Sequence, residues 1–217
     1  MKAYKHILFD LDGTLADPSE GITKCIAYAL AHFGIEIGDL KSLESWIGPP
    51  IKDSLREVYD FDDARAEMAV QKYRERFATK GMYENTLFEE VPSLLAQLKE
   101  KGFSIHLATS KPEPYAERIL HHFGIAEYFD FIGGAAMDDS RPTKGHVIER
   151  VLEMSPFIDR SKTLMVGDRK YDIIGGQTYG MDTAGMLHGF GDEAELRQAG
   201  ATYLFENLIE LEKFLLR

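Results

Sequence analysis

The feature that most constrains this chain is the stretch His6-Ile7-Leu8-Phe9-Asp10-Leu11-Asp12-Gly13-Thr14-Leu15. A short apolar run ends in two aspartates on alternate positions and then a Gly-Thr turn. Ile7, Leu8 and Phe9 have the unbroken apolar character of a strand buried on both faces in a parallel sheet. Ending that strand near Asp10 puts the carboxylate at the C-terminal edge, where open α/β sheets gather their ligand sites. Gly13 lets the chain leave the strand sharply without a Cβ penalty. In an extended segment Asp10 and Asp12 point the same way, and Leu11 points away. Carboxylates so close repel each other at neutral pH unless a cation sits between them, and a hard ion such as Mg²⁺ suits oxygen ligands. Taken alone, Asp-x-Asp-Gly also fits an Asp-rich turn that caps a helix, so the rest of the chain has to decide.

The order of elements sets the fold class. Asp17 or Ser19 can cap a helix that runs to about residue 33 and stops at Gly34. Residues 40–80 keep a helical period, broken at Gly48-Pro49-Pro50, with helices expected over 51–59 and 64–80. No strand is expected between 16 and 85. From residue 91 the pattern alternates. Helices fit 91–101, 112–123, 144–154, 171–179, 193–198 and 208–216. Strands fit 104–109, 129–132, 163–167, 182–186 and 203–205, with Asp168 at the edge of the third. This alternation predicts an α/β fold, a doubly wound parallel sheet with a Rossmann-like core. A small all-helical cap domain is inserted after its first strand. The expected division is 1–15 with 86–217 as the core and 16–85 as the cap. An insert at that point would hang over the sheet edge to which Asp10 points. The connections near 15–19 and 82–88 would be hinges, and closure would exclude water during chemistry.

Composition excludes several classes of function. A formal net charge of −11 lacks the basic face that a nucleic-acid polymer needs, though a metal and one or two lysines can still reverse the sign locally for a small anion. Cys25 is the single cysteine, which rules out an internal disulfide and fits a reducing, cytoplasmic compartment. The apolar run after Lys5 is too short for a signal peptide, and none approaches the ~20 residues of a membrane span.

Four strand ends converge in this topology: Asp10 with Asp12, Thr109, the loop before Lys144, and Asp168. The chemistry this suggests is phosphoryl transfer to an aspartate. Asp10 would attack a phosphomonoester and form an aspartyl-phosphate. Mg²⁺ bridging Asp10, Asp168 and the phosphate would screen the repulsion between anions, with Asp12 adding its backbone carbonyl. The Asp12 carboxyl would protonate the leaving alcohol and then deprotonate the attacking water. Thr109 would hold phosphoryl oxygens, and Lys144 would balance charge. Each residue has a plainer reading too. Asp168 fits a helix cap, Thr109 an ordinary β-branched strand residue, and Lys144 and Lys111 solvated lysines. Asp172, one turn beyond Asp168, fits a partner behind the metal, a direct ligand or a solvated charge, the first preferred. His121-His122 lacks a third ligand at metal spacing, Trp46 reads as core, and Gly189-Phe190-Gly191 is no dinucleotide fingerprint.

Asp10-Leu11-Asp12-Gly13-Thr14-Leu15, Thr109-Ser110-Lys111, Lys144, and Gly167-Asp168-Arg169-Lys170-Tyr171-Asp172 together resemble the four motifs of the haloacid dehalogenase-like hydrolases, over nearly the whole chain. The helical insert is similar to the helical-cap branch. Ile47-Gly48-Pro49-Pro50 and Gly189-Phe190-Gly191 resemble its phosphoglycolate-phosphatase-like group. The resemblance implies Asp10 as nucleophile, Asp12 as acid/base, Asp168 as a Mg²⁺ ligand, and Thr109 with Ser110 and Lys144 around the phosphate. Ser110 stands where the family usually has Asn. For the third motif Lys144, opening a helix, is preferred over Arg141, which precedes Pro142. The dehalogenases of the family lack the aspartate found here at Asp12. The expected activity is hydrolysis of a small phosphorylated metabolite, phosphoglycolate or a nucleoside 5′-monophosphate, by a monomer or homodimer. A sugar-phosphate mutase and a non-catalytic phosphoacceptor are the alternatives. Gly48-Pro49-Pro50 and residues 83–85 are the expected substrate-facing part of the cap.

Overall fold

A computed structural model of the protein describes residues 3–49, 51–138 and 140–217. Its strands are β1 (His6–Phe9), β2 (Ala16–Asp17), β3 (Thr86–Leu87), β4 (Ser104–Pro112), β5 (Phe131–Ala135), β6 (Thr163–Gly167), β7 (Asp182–Met186) and β8 (Tyr203–Phe205). Its α-helices are α1 (Ser19–Ala31), α2 (Ile51–Tyr59), α3 (Asp63–Phe77), α4 (Val91–Glu100), α5 (Glu113–His122), α6 (Lys144–Met154), α7 (Lys170–Thr178), α8 (Glu193–Gln198) and α9 (Leu208–Leu215).

Six strands make one sheet in the order β5-β4-β1-β6-β7-β8, every pair parallel. β1 is central, and all four of its residues are buried, as are all five of β6. This is why both read as apolar runs without alternation. Phe9 lies level with Leu107 on one side and Val166 on the other, so the next residues of all three strands reach the same edge. The connections from β1 through α4 to β4 and from β6 through α7 to β7 run in opposite directions across the sheet. Right-handed crossovers then place these two helices on opposite faces and open a switch point between β1 and β6. Leu8, Ala108 and Met165 from the sheet pack with Val147, Ile148 and Val151 of α6 in one buried cluster.

The chain divides into two compact units, the residues up to Ala16 together with Leu87–Arg217, and Asp17–Thr86. The second holds α1, α2, α3 and a 3₁₀ helix over Leu40–Trp46, around buried Leu43, Leu55, Ala66 and Phe77. Asp17 Oδ1 accepts from the Ser19 N–H at 2.9 Å, which opens α1. Trp46 is buried, 5.9 Å from the Tyr59 ring. Pro50, named above among the substrate-facing residues, lies outside the described residues.

Two sequence expectations change. Ala16–Asp17, inside the 16–85 stretch where no strand was expected, pairs with Thr86–Leu87 as a two-stranded sheet. Two residues are too few to show a period. Gly133 and Gly134 are inside β5, not beyond it. A Cβ at Gly134 would lie 2.6 Å from the Glu113 backbone, and one at Gly133 would lie 2.5 Å from the Val151 side chain. These glycines mark close packing against helices, and the chain continues through them.

Candidate active site

The site is built at the C-terminal edge of the three central strands. β1 ends as the Asp10 N–H donates to Val166 O at 2.9 Å. The chain then turns through Gly13, whose φ of 79° suits glycine. Asp10 is buried, and its Oδ1 accepts from the Leu11 N–H at 2.7 Å. β6 delivers Asp168, which is fully buried. Asp168 does not cap α7. That helix starts at Lys170 behind Arg169, and Asp168 Oδ2 instead accepts from the Phe190 N–H at 2.8 Å. Thr14 Oγ1 lies 3.4 Å from its other oxygen. Asp172, in the first turn of α7, accepts from the Arg169 N–H at 3.0 Å and so ties down the helix start.

One oxygen each from Asp10, Asp168 and Asp172 lie within 4.8 Å of one another. Lys144 opens α6 behind Thr143, whose side chain accepts from the His146 N–H. Its ammonium lies 3.0 Å from Asp10 Oδ1 and 2.8 Å from Asp172 Oδ1, and donates to Ala108 O at 2.8 Å. Of the two cations kept open above, it is Lys144 that reaches these carboxylates. Arg141 pairs with Glu113 at 3.3 Å and donates to Gly134 O, which secures β5 against α5. Thr109 is buried at the end of β4's regular stretch, and its hydroxyl accepts from the Lys111 N–H at 3.2 Å. Ser110 is exposed.

Lys111 corrects the sequence reading. It is buried, not solvated, and its ammonium lies 2.7 Å from Asp12 Oδ2. Alternation along β4 carries the signal: Thr109 and Lys111 are buried and Ser110 faces out. The glycines were also under-read. A Cβ on Gly13 or Gly189 would lie 2.2–2.3 Å from Asp168 side-chain atoms. One on Gly167 would lie 2.2 Å from the Asp172 carboxyl carbon, and one on Gly191 would lie 2.1 Å from Asp168 O. Gly189-Phe190-Gly191 thus has a physical job, to bring bare backbone against Asp168 and donate a hydrogen bond to it.

The electrostatics favour a cation. Burial, then the neighbouring Asp172 and Asp10, pushes the Asp168 carboxyl well above the usual carboxylate range. Burial lifts Asp172 to about 6 against the pull of Lys144. Burial also raises Asp12, opposed by Lys111. Burial works against the charge on Lys144, but Asp10 and Asp172 outweigh it and hold the ammonium at about 12. Three converging carboxylates with one ammonium leave an excess of negative charge among oxygen donors, the donor set that hard divalent ions take.

The haloacid dehalogenase-like hydrolase model matches residues 7–186, which includes every residue of this cluster. A 5′-nucleotidase of Pseudomonas aeruginosa is 42% identical over 98% of this chain and 96% of its own length. The tyrosine-protein kinase PtkA of Mycobacterium tuberculosis is 38% identical over 85% of this chain, which spans 62% of that protein. A phosphoglycolate phosphatase of Yersinia pseudotuberculosis is 31% identical over 87% of this chain and 83% of its own. The crystal structure of a predicted phosphatase from Clostridium acetobutylicum superposes with a TM-score of 0.93 at 43% identity, covering 99% of both chains. On the match to the model and on these relatives, the chain belongs to the haloacid dehalogenase-like hydrolases.

Proposed function

We propose that the protein is a Mg²⁺-dependent phosphatase that hydrolyses a small phosphomonoester through an aspartyl-phosphate on Asp10. The observation that carries this reading is the meeting of Asp10, Asp168 and Asp172 beside the Lys144 ammonium. Asp10 attacks phosphorus through a carboxylate oxygen, and the bond from phosphorus to the ester oxygen breaks. Asp12 gives a proton to the departing alcohol. Asp12 then takes a proton from the water that attacks the aspartyl-phosphate, which releases inorganic phosphate and restores Asp10. Thr109 holds a phosphoryl oxygen, because its hydroxyl accepts from Lys111 N–H and keeps its own proton to donate. Ser110 borders the same phosphate, and Lys144, 3.0 Å from Asp10 Oδ1, holds that carboxylate aligned. The carboxylates of Asp10, Asp168 and Asp172 with the Asp12 carbonyl would hold Mg²⁺, which supplies positive charge against the phosphoryl oxygens when bound. Asp172 is counted here as a direct ligand, since its oxygen stands with the other two.

In this reading residues 1–15 and 86–217 form the catalytic core and 16–85 the helical cap domain, in a cytoplasmic enzyme. The 5′-nucleotidase relative, matched over 96% of its length, supports nucleoside 5′-monophosphates ahead of phosphoglycolate. The test is phosphate release from a panel of nucleoside monophosphates, phosphoglycolate and sugar phosphates, with and without Mg²⁺. Mg²⁺-dependent release that is fastest with a nucleoside 5′-monophosphate is expected. Isomerised sugar phosphate without free phosphate, or no turnover of any ester, overturns the proposal.

A further inference from the structure

We infer that Lys111 is a positioning residue that holds one oxygen of Asp12 so that the other carries the proton to the leaving group. The inference rests on the phosphatase reading above. Among the described residues, Lys144 and Lys111 reach the carboxylates of this edge, and they are divided between them. Lys144 is engaged with Asp10, Asp172 and Ala108. Lys111, its side chain 4% exposed, pairs with Asp12 Oδ2 at 2.7 Å. Asp12 Oδ1 is buried and makes no hydrogen bond among the described residues. Buried polar atoms are rarely left bare, and one beside a reactive centre marks the place where a partner arrives. The carboxyl therefore has one oxygen fixed and one reserved.

The backbone places Lys111 for this task. β4 runs in register with β5 up to Thr109, and the register shifts before Pro112. Within the shifted stretch the Lys111 N–H donates to Thr109 Oγ1, so Lys111 and Thr109 are fixed to each other. The ammonium thereby comes from the segment that also supplies Thr109. When Asp10 attacks phosphorus and the ester bond breaks, the alkoxide takes the proton from Asp12 Oδ1. Lys111 keeps its own protons and only prevents the carboxyl from rotating away.

The test compares two esters that differ in how much they need that proton. A nucleoside 5′-monophosphate leaves as a strongly basic alkoxide, whereas p-nitrophenyl phosphate leaves as a weakly basic phenolate. In K111M, kcat/KM for the nucleotide is expected to fall about 10²-fold, the scale of general-acid catalysis, and that for the aryl ester by less than about tenfold. D12N should show the same pattern, and K111M/D12N should add little to D12N alone, since the two act through one proton. K111R keeps a cation and should bring the ratio of the two esters back toward the wild-type ratio. Equal losses on the two esters, or losses that add in the double variant, overturn the inference while leaving the phosphatase reading intact. If K111M gives no cooperative unfolding transition, K111Q, which also removes the charge, takes its place. A loss confined to the nucleotide supports the inference, and an equal loss on both esters overturns it. A wild type that turns over neither ester overturns the phosphatase reading and this inference together.

Discussion

At one edge of the sheet two histidines share a hydroxyl; at the other, four carboxylates share two ammoniums. The first edge is where the strands begin. His6 Nδ1 and His106 Nε2 lie 2.9 and 2.8 Å from Ser104 Oγ. One hydroxyl can donate to one ring and accept from the other, so both rings can pair with it while neutral, and His106 Nδ1 has no hydrogen-bond partner among the described residues. Burial keeps them neutral, lowering His106 to about 4 and drawing His6 down as well. The second edge gathers Asp10, Asp12, Asp168 and Asp172 against Lys111 and Lys144. Both edges are buried and polar, and only one is balanced. The histidine edge pairs its rings through a hydroxyl and carries no charge. The second edge, where the proposed metal and phosphoryl group would sit, holds more carboxylates than ammoniums, and burial raises Asp12, Asp168 and Asp172 above the usual carboxylate range.

The strongest way to break this contrast is D10N. Loss of the proposed nucleophile is expected to lower kcat by at least ~10⁴-fold with the unfolding transition retained. Phosphate release close to wild type in that variant would leave the acidic edge without its assigned purpose. Next is K144M, which leaves buried Asp10 and Asp172 facing each other without their ammonium. Breaking such a group should cost about 3–5 kcal/mol in urea unfolding, and adding D172N should recover part of it.

The histidine edge is tested by pH. His106 faces Asp130, His6 and Lys99. Its folded pKa of about 4 lies below the unfolded value of 6.5, so the unfolded chain takes up the proton first as pH falls. The stability His106 allows is complete above pH 6.5 and is lost progressively down to pH 4, by at most about 3 kcal/mol. Urea titrations of wild type and H106Q at pH 7.5 and pH 4 should converge or cross by that amount. A constant difference would mean that the ring charges freely and that the two edges are alike. The smallest effect is expected from G167A. Its methyl would meet the Asp172 carboxyl at 2.2 Å, and relief by a local shift should cost about 1–3 kcal/mol. Mg²⁺ affinity, read by calorimetry, should weaken along with it.

Much of the fold was readable because its strands are buried on both sides. β1 and β6 announce themselves as apolar runs, and an aspartate after each falls at the shared edge once the strands lie side by side. The start of α6 at Lys144 was readable from the polar loop before it. The paired segments at Ala16–Asp17 and Thr86–Leu87 were not, since two-residue strands have no period. Gly133 and Gly134 misled because a glycine that ends a strand and one that lets a helix approach look the same in a sequence. The pairing of Lys111 with Asp12, and of Arg141 with Glu113, joins residues far apart in the chain. Only the tertiary fold tells a lysine under cover from one in water.

Lys144 Nζ reaches acceptors from three distant stretches of chain: Asp10 after β1, Ala108 in β4 and Asp172 in α7. Synthesis from the N-terminus therefore makes Asp10 early and the last of these acceptors late. A half-made chain on the ribosome carries the aspartate but not the arrangement that arms it. On the proposed reading, Asp10 gains both its ammonium and its neighbouring carboxylate only once the chain has been made through the start of α7, so a shorter product lacks the proposed active arrangement.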